Sequence, residues 1–533
     1  MKYLIYPMLI LFFASCDVDR PLKDAISDQS YWKSEEDLIA AANYLYTFLP
    51  ELPVSDDNWA DDGFGLVANE ISSGTRIAPS VDDEYKNHYK LIRAANNFIE
   101  KSSIALTTGV EQNTINKYVG EALFFRAWAY TELVMRYGDV PLVLSVLTDV
   151  SDELYAPKSS RAQVMEAIYQ DLDKAAGFLP TPSKRGSKGY GRVTNTAALS
   201  LKARSALFEG TRSKFHNYGN PEKHLQIAIE ASEKVINSGQ HELFSSYFDL
   251  FQYAGEGRQN KENIFVAQHG ISVGNDIRSY NAGFIINGAN NITKTLVDAY
   301  LMKDGLPIDQ SPLYTEPVDH SAYFENRDPR MAHTIFKKGD PYNQDATFTI
   351  PSLTYHVTGF VSRKYLDPKE LGTNNRTFID RVLIRYAEVL LIYAEATYEL
   401  NGSISDADLN QSINLLRERV GMPKLTNEFV DKNGLDMREE IRRERRIELA
   451  VEGFRYWDII RWKTAEQVLP VAVLGSYYFE DGFGTGEPNL TDDNYILVQK
   501  GSTRTFDPQK DYLWPFPVEE LALNTNLVQN PGW

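Results

Sequence analysis

The sequence predicts a mostly α-helical fold: a helical-repeat scaffold carrying long loop-rich insertions and a few short strands. Three observations lead there. A hexapeptide pattern recurs as ALFFRA (Ala122 to Ala127), ALSLKA (Ala198 to Ala203) and VLLIYA (Val389 to Ala394), each with Leu second, a large apolar residue fourth and Ala sixth. Small residues at fixed places let neighbouring helices approach closely, which is the logic of tetratricopeptide-like helix pairs. An arginine- and tryptophan-rich stretch near the C-terminus has helical periodicity, and between the periodic stretches lie long runs rich in Gly, Asn, Asp and Pro.

In chain order, Ser34 and Asp37 have capping-box spacing, Glu35 and Glu36 suit the positive end of a helix, and Leu38, Ala41, Ala42 and Leu45 form its apolar stripe, with Pro50 and Pro53 as its stop. Residues 50–87, including SDDNWADDGFG, read as a loop. Helices are expected over Tyr89 to Ser102 and Ile115 to Tyr137, the second stopped by Gly138 with Pro141 beyond. Partner helices for the repeated hexapeptides are Arg161 to Phe178, Glu222 to Asn237 and Asp406 to Arg419. Residues 242–359 and 476–512 hold short β-prone runs such as NIFVAQ and YILVQ among turn residues. Together with 50–87 they form the variable, loop-rich half.

The segment Met437 to Trp462 is expected as one helix. Ile447, Ala450, Val451, Phe454, Trp457 and Ile460 face a core, while Glu439 with Arg443, Arg445 with Glu448, and Glu452 with Arg455 are spaced to pair along its surface, each contributing about 0.2–0.5 kcal/mol. Its five arginines between Arg438 and Arg446 are nearly cancelled by Glu439, Glu440, Glu444 and Glu448, so no nucleic-acid partner is expected.

The 533 residues, 43% hydrophobic, suffice for a large core. The net charge is −18, a surface that repels nucleic acid and anionic lipid. Cys16 is the single cysteine, which excludes an internal disulfide. Lys2 precedes an apolar stretch, Tyr3 to Phe13, too short to span a bilayer and right for a signal-peptide core. Ala14 and Ser15 put two small side chains before Cys16, which looks like a bacterial lipoprotein processing site. Residues 1–15 are then a lipoprotein signal peptide, residues 16–533 a single domain, and Cys16 the lipidated residue, with several acyl chains giving stable anchoring.

The run ERRIELAVEGFRYWDIIRW and the tail DYLWPFPVEELALNTNLVQNPGW, with YWKSEEDL, RAWAYTELVMRYGDVPLV, GRVTNTAALSLKARSAL, LVDAYLMKDGLPI, FENRDPRM and LIRYAEVLLIYAEA, resemble the SusD/RagB family of surface lipoproteins that capture nutrients for outer-membrane transporters in Bacteroidetes. The resemblance implies a helical scaffold with inserted loops, an outward-facing outer-membrane location, a SusC-type TonB-dependent transporter as partner and a glycan as the leading ligand class, with peptide uptake as the nearest alternative. Asp17 and Asp19 resemble the acidic export signal of that phylum.

Catalytic chemistry finds little support. Gly270 to Gly274 reads GISVG and satisfies the nucleophile-elbow pattern around Ser272, but NDIRSYNAGF does not supply the small-residue helix an elbow opens. A surface hydrolase using Ser272 or a carboxylate pair is the alternative enzyme reading; an intracellular helical-repeat scaffold is the other rival. His88, His216, His224, His241, His269, His320, His333 and His356 are dispersed without HExxH, so no zinc site and no cofactor are expected. Asp56, Asp57, Asp61 and Asp62 lack EF-hand spacing and are expected in a solvated loop.

Ligand contacts are sought among loop aromatics, because a flat ring offers apolar area at low entropy cost. Trp32, Trp128, Trp457, Trp462, Trp514 and Trp533 lie in stretches resembling structural motifs, leaving Trp59 as the first candidate. Phe64, and Tyr280, Asn281 and Phe284 in the second glycine-rich loop, follow; the competing expectation is that these rings pin their own loops.

Overall fold

The computed structural model describes residues 31–52, 55–186, 189–272, 275–277, 280–369 and 377–533. The signal-peptide and Cys16 readings lie outside the described residues.

Ser34 starts the first helix, Glu35–Tyr46, as its spacing requires: its hydroxyl accepts from Asp37 N at 3.2 Å while the Asp37 carboxylate accepts from Ser34 N at 3.0 Å. Six longer helices follow, Asp83–Lys101, Gln112–Tyr137, Arg161–Phe178, Asn195–His216, Pro221–Ile236 and Tyr386–Asn401, and each packs against the next. The three repeated hexapeptides fall on the second, fourth and sixth of these. Their alanines Ala122, Ala127, Ala198, Ala203 and Ala394 are fully buried, where a larger side chain would force the helices apart. Asp406 to Arg419 is two short helices, Asp406–Asn410 and Ile413–Arg419, rather than one.

The described strands form four antiparallel two-stranded ribbons. NIFVA (Asn263–Ala267) pairs with Arg381–Arg385 and YILVQ (Tyr495–Gln499) with Val473–Tyr477, while Gly63–Phe64 pairs with Asn291–Ile292 and Gly270–Ser272 with Asn275–Ile277. The main core lies among the long helices; a second, around Leu296, Tyr300, Met331 and Ile447, lies beneath the loop-rich half.

The arginine-rich segment is where sequence and structure part. It is two helices, Met437–Glu448 and Arg455–Arg461, separated by a turn in which Val451 has φ 63° and Gly453 φ 83°. A β-branched residue in the left-handed region is costly. What holds it is capture of the carbonyls that a helix end leaves unpaired: Tyr247 Oη (2.9 Å) and Arg385 Nη2 (2.7 Å) donate to Glu448 O, and Lys364 Nζ donates to Ala450 O (2.7 Å).

The surface pairs expected along this helix are also replaced. Glu448 takes Arg330 (3.0 Å), Arg385 (2.6 Å) and Arg419 (2.5 Å), Arg445 takes Asp458, Glu452 takes Lys364 and Arg385, and Arg455 takes Asp61. Arg443 bonds Glu440 instead of Glu439, which takes Arg442. The reason is burial. The helix runs between the loop-rich half and the scaffold, so its charged sides meet other charges rather than water. Arg330, Lys364, Arg385, Arg417 and Arg419 interlock with Glu262, Asp328, Glu444, Glu448 and Glu452, five cations against five carboxylates, every side chain at most 4% exposed. Burial alone would raise the Glu448 carboxyl, but Arg419, Arg385 and Arg330 hold it well below the usual carboxylate range.

Removing one member of such a network strands its partners in low dielectric. Glu448→Ala is expected to lower unfolding free energy by about 3–5 kcal/mol in urea titrations. Lys223→Ala, which breaks a half-exposed pair with Glu166, is expected to cost about 1 kcal/mol or less. Equal losses in the two variants would contradict this account.

Candidate functional site

The structure joins the two segments that carry the nominated residues, although Phe64 is on a two-residue strand and Asn281 and Phe284 are on a short helix, Asn281–Ile286, rather than in the loop expected for them. Phe64 lies opposite Asn291 and Gly63 opposite Ile292, Thr293 N donates to Asp62 O (3.0 Å), and Asn58 Nδ2 donates to Ala289 O (2.9 Å). Gly288 has φ 70°, and a Cβ there would lie 1.6 Å from Tyr355 O, so glycine is required where this loop meets the 350s. The third loop-rich stretch continues the surface, since Gly484 N donates to Pro351 O (2.9 Å) and Thr354 N to Thr485 O (2.9 Å).

The nominated side chains separate within this frame. Phe64 is buried at 5% exposure, and Asn281 is buried with Nδ2 donating to Tyr365 O at 2.6 Å. Both hold loops in place and offer no open face. Phe284 is half-buried, and Tyr280 is 59% exposed. Tyr355 is also exposed on this side, and Tyr478, Phe479 and Phe483 form a half-buried stack, with Phe483 5.8 Å from Tyr478 and 6.5 Å from Phe479 at interplanar angles of 12° and 18°. Sequence reasoning passed over this stack, although the aromatic-glycine run SYYFEDGFGTG was the available signal.

Trp59 has a double position. Its ring meets Trp514 (5.3 Å), Tyr456 (5.7 Å) and Trp457 (6.4 Å) nearly edge-on, so it closes an aromatic cluster, and it also lines a cleft of about 940 Å³. The cleft lies between the first loop, the helix Gln112–Tyr137 and the arginine-rich segment, and Asp56, Arg76, Asp82, His88, Glu132 and Arg136 contribute to its walls. Arg76 stacks on Trp514 at 3.8 Å, and Arg136 lies 5.1 Å from Trp457 and 5.2 Å from Trp514. Arg136 Nη1 bonds Glu132 Oε2 at 2.5 Å. Burial raises the Asp56 and Glu84 carboxyls, and burial together with nearby Arg136 pushes the His88 imidazole down to about 4, leaving it neutral at pH 7. The lining therefore mixes flat rings, carboxylates and guanidinium groups, chemistry suited to a ligand with apolar faces and many hydroxyls.

The remaining candidates are placed by the fold. Asp61 and Asp62 are buried, not solvated. Arg446 Nε bonds Asp62 Oδ1 (2.8 Å), its Nη2 bonds Asp61 Oδ2 (3.0 Å), and Arg455 Nε bonds Asp61 Oδ1 (2.8 Å). Asp57 is buried too, and its carboxyl is raised by burial and by Asp62 and Asp56. Guanidinium groups thus take the place that water has in a solvated loop. Ser272 lies on a strand paired with Asn275–Ile277, with Ser272 opposite Asn275, so the strand is followed by its antiparallel partner rather than by the helix of an elbow. Among the described residues no cluster of His, Cys, Asp and Glu is grouped to hold a metal ion, and no helix is long and apolar enough to cross a membrane.

Comparison with known proteins agrees with this architecture. The SusD family model matches residues 261–533, and a model described as starch-binding associating with outer membrane matches residues 66–207. SusD-like protein P2 of Formosa agariphila is 26% identical, with all of both chains covered, and a SusD-like protein of Bacteroides ovatus is 24% identical over 99% of this chain and 97% of its own. Among solved structures, a SusD-like carbohydrate binding protein from Bacteroides fragilis superposes with TM-score 0.79 and 28% identity over 93% of this chain and 99% of its own. With the SusD model spanning more than half of the residues and full-length relatives aligned end to end, the chain belongs to the SusD family.

Proposed function

We propose that this protein is a lipid-anchored, outward-facing binding protein of the outer membrane that captures an oligo- or polysaccharide and delivers it to a SusC-type TonB-dependent transporter, without catalysis of its own. The observation that carries the reading is the cleft beside Trp59, where aromatic faces alternate with carboxylate and guanidinium groups. Sugar rings stack on the former and direct hydroxyls to the latter. The name of the carbohydrate-binding relative and the starch-binding description of the N-terminal match support the same ligand class. Tyr280, Tyr355 and the Tyr478–Phe483 stack are further aromatic surface outside the cleft. The stacked helix pairs serve in this reading as a tetratricopeptide-like platform, and Phe284 supports the Tyr280 loop.

A soluble fragment starting at Asp17, screened against polysaccharides, oligosaccharides and peptides by gel retardation and calorimetry, is expected to bind a glycan. Trp59→Ala is expected to weaken that binding at least about tenfold, and the exposed Tyr280→Ala by less, since a half-buried aromatic anchor in the cleft carries more than a rim contact. Thermal melts of both variants separate loss of binding from loss of fold. Binding of peptides alone moves the protein to peptide uptake, and glycan binding untouched by Trp59→Ala removes the cleft from the account.

Two further outcomes test the rival classes. Cells expressing the full chain are expected to label it with palmitate at Cys16 and not in Cys16→Ser; an unlabelled wild type points to an intracellular scaffold. Purified protein incubated with the bound glycan is expected to release no new reducing ends, and sustained release would replace the reading with a hydrolase.

A further inference from the structure

The cleft beside Trp59 is unevenly satisfied. Among the described residues, the buried side-chain atoms of its lining that lack a hydrogen-bond partner are all nitrogens: Nε and Nη1 of Arg76, Nε of Arg136, Nη1 of Arg445 and Nε2 of His88. Among those residues no buried side-chain oxygen of the lining is left over. Buried polar groups are ordinarily paired, so the chemistry missing from this cleft is an acceptor.

The cations of the lining differ in how far their charge is met. Arg204 bonds both oxygens of Glu388 (2.6 and 2.7 Å), Arg461 bonds Glu395 Oε2 (2.7 Å), Arg445 bonds Asp458 Oδ2 (2.9 Å) and Arg381 donates to Glu51 O (2.7 Å). Arg136 has Glu132 on Nη1 at 2.5 Å. Arg76 stands apart. Its closest carboxylates, Asp82 at 3.6 Å and Glu70 at 3.8 Å, lie beyond hydrogen-bond range. Asp82 is committed elsewhere: Oδ1 accepts from Glu84 N (3.0 Å) and Tyr85 N (3.3 Å), and Oδ2 from Tyr137 Oη (2.9 Å). What positions Arg76 is the Trp514 ring, 3.8 Å from the guanidinium carbon, in a segment tied at both ends, Thr505 N to Ser73 O (3.0 Å) and Val518 N to Pro79 O (2.9 Å). Burial lowers the Arg76 guanidinium from its ordinary value, as expected of a cation without a close counter-charge.

A sugar hydroxyl would meet the hydrogen bond but not the charge. A carboxylate or a sulfate meets both, through the parallel N–H···O bonds of a guanidinium fork. Arg136 borders the same Trp514 ring at 5.2 Å, so a second guanidinium flanks the position. The rival is a cationic ligand drawn to Asp56 and Glu84, but Asp56 is half-buried and the Glu84 side chain 60% exposed, so water serves those oxygens. We propose that the ligand of this cleft is an acidic glycan, whose carboxylate or sulfate group is taken by Arg76 with Arg136 beside it while a sugar ring lies against Trp59. The inference rests on the glycan reading above and narrows it. The net charge of −18 does not oppose it, because repulsion from the rest of the surface is screened beyond about 8 Å at physiological ionic strength, whereas the guanidinium contact is direct.

The test titrates the full chain, purified in detergent, by calorimetry with polygalacturonate and hyaluronan beside their carboxyl-reduced forms, and with dextran sulfate beside dextran. Affinity for at least one acidic chain is expected to exceed that for its neutral counterpart at least about tenfold. Arg76→Gln is expected to bring that ratio to within about twofold, and Arg76→Lys, which keeps the charge without the fork, to retain part of it. Thermal melts show whether each variant is folded, and Arg76→Lys carries the test should Arg76→Gln unfold. A preference confined to the polyuronates identifies the group as a carboxylate, and one confined to dextran sulfate identifies a sulfate. Equal affinity for acidic and neutral forms, or a ratio that neither variant changes, overturns the inference and leaves the glycan reading standing. Binding of no glycan, acidic or neutral, rejects both.

Discussion

The rest of the structure depends on a buried, charge-balanced ionic network centred on Glu448. Five cations and five carboxylates from six separate stretches of chain converge where water is excluded, and all but Asp328, which pairs with Arg330 two residues on, are held by partners far away in sequence. Burying so many charges is costly, and the arrangement persists only because every carboxylate has at least one guanidinium or ammonium partner within about 3 Å. The consequence is positional. The short helix Pro329–Thr334, which carries Arg330, the strand Arg381–Arg385 and the helix Ile413–Arg419 are all fixed to one helix, Met437–Glu448, and the loop-rich half is thereby locked to the scaffold.

The same helix and the segment that follows it shape the candidate site. Arg446 and Arg455 hold Asp61 and Asp62, which places Trp59 two residues earlier against Tyr456, Trp457 and Trp514. The turn at Val451 and Gly453 brings Phe454 and Trp457 to the cleft wall instead of continuing the helix past it. Structural ion pairs and cleft-facing rings are therefore one continuous arrangement. The loop surface beside the cleft keeps its shape because those loops are fastened by charges and by backbone pairing at Gly63–Phe64 and Asn291–Ile292.

How much of this was legible in the sequence follows from distance along the chain. The Ser34 cap, the helix Arg161–Phe178 and the stop at Gly138 depend on residues within a few positions, and the sequence displays them directly. The partner of Glu448 at Arg330 lies 118 residues away, so the charges of the arginine-rich segment read as mutual surface pairs when they are long-range buried ones. Its helical periodicity also runs through the break at Val451, which hid a turn that Gly453 signalled. Phe64 and Asn281 read as loop residues because a two-residue strand leaves no alternation to detect and the six-residue helix Asn281–Ile286 too little periodicity. Trp59 is singled out by elimination, and the structure places its ring both against Trp514 and along the cleft wall.

The most direct measurement is hydrogen–deuterium exchange on the fragment starting at Asp17, with and without a glycan that binds it. The account predicts slowed exchange in residues 55–60 and 76–88 and at the end of the helix Gln112–Tyr137, the backbone around the cleft, with the network helix Met437–Glu448 already protected in both states. Protection confined to the far side of the scaffold, or absent from residues 55–60, would contradict the claim that the cleft beside Trp59 is where this protein holds its ligand.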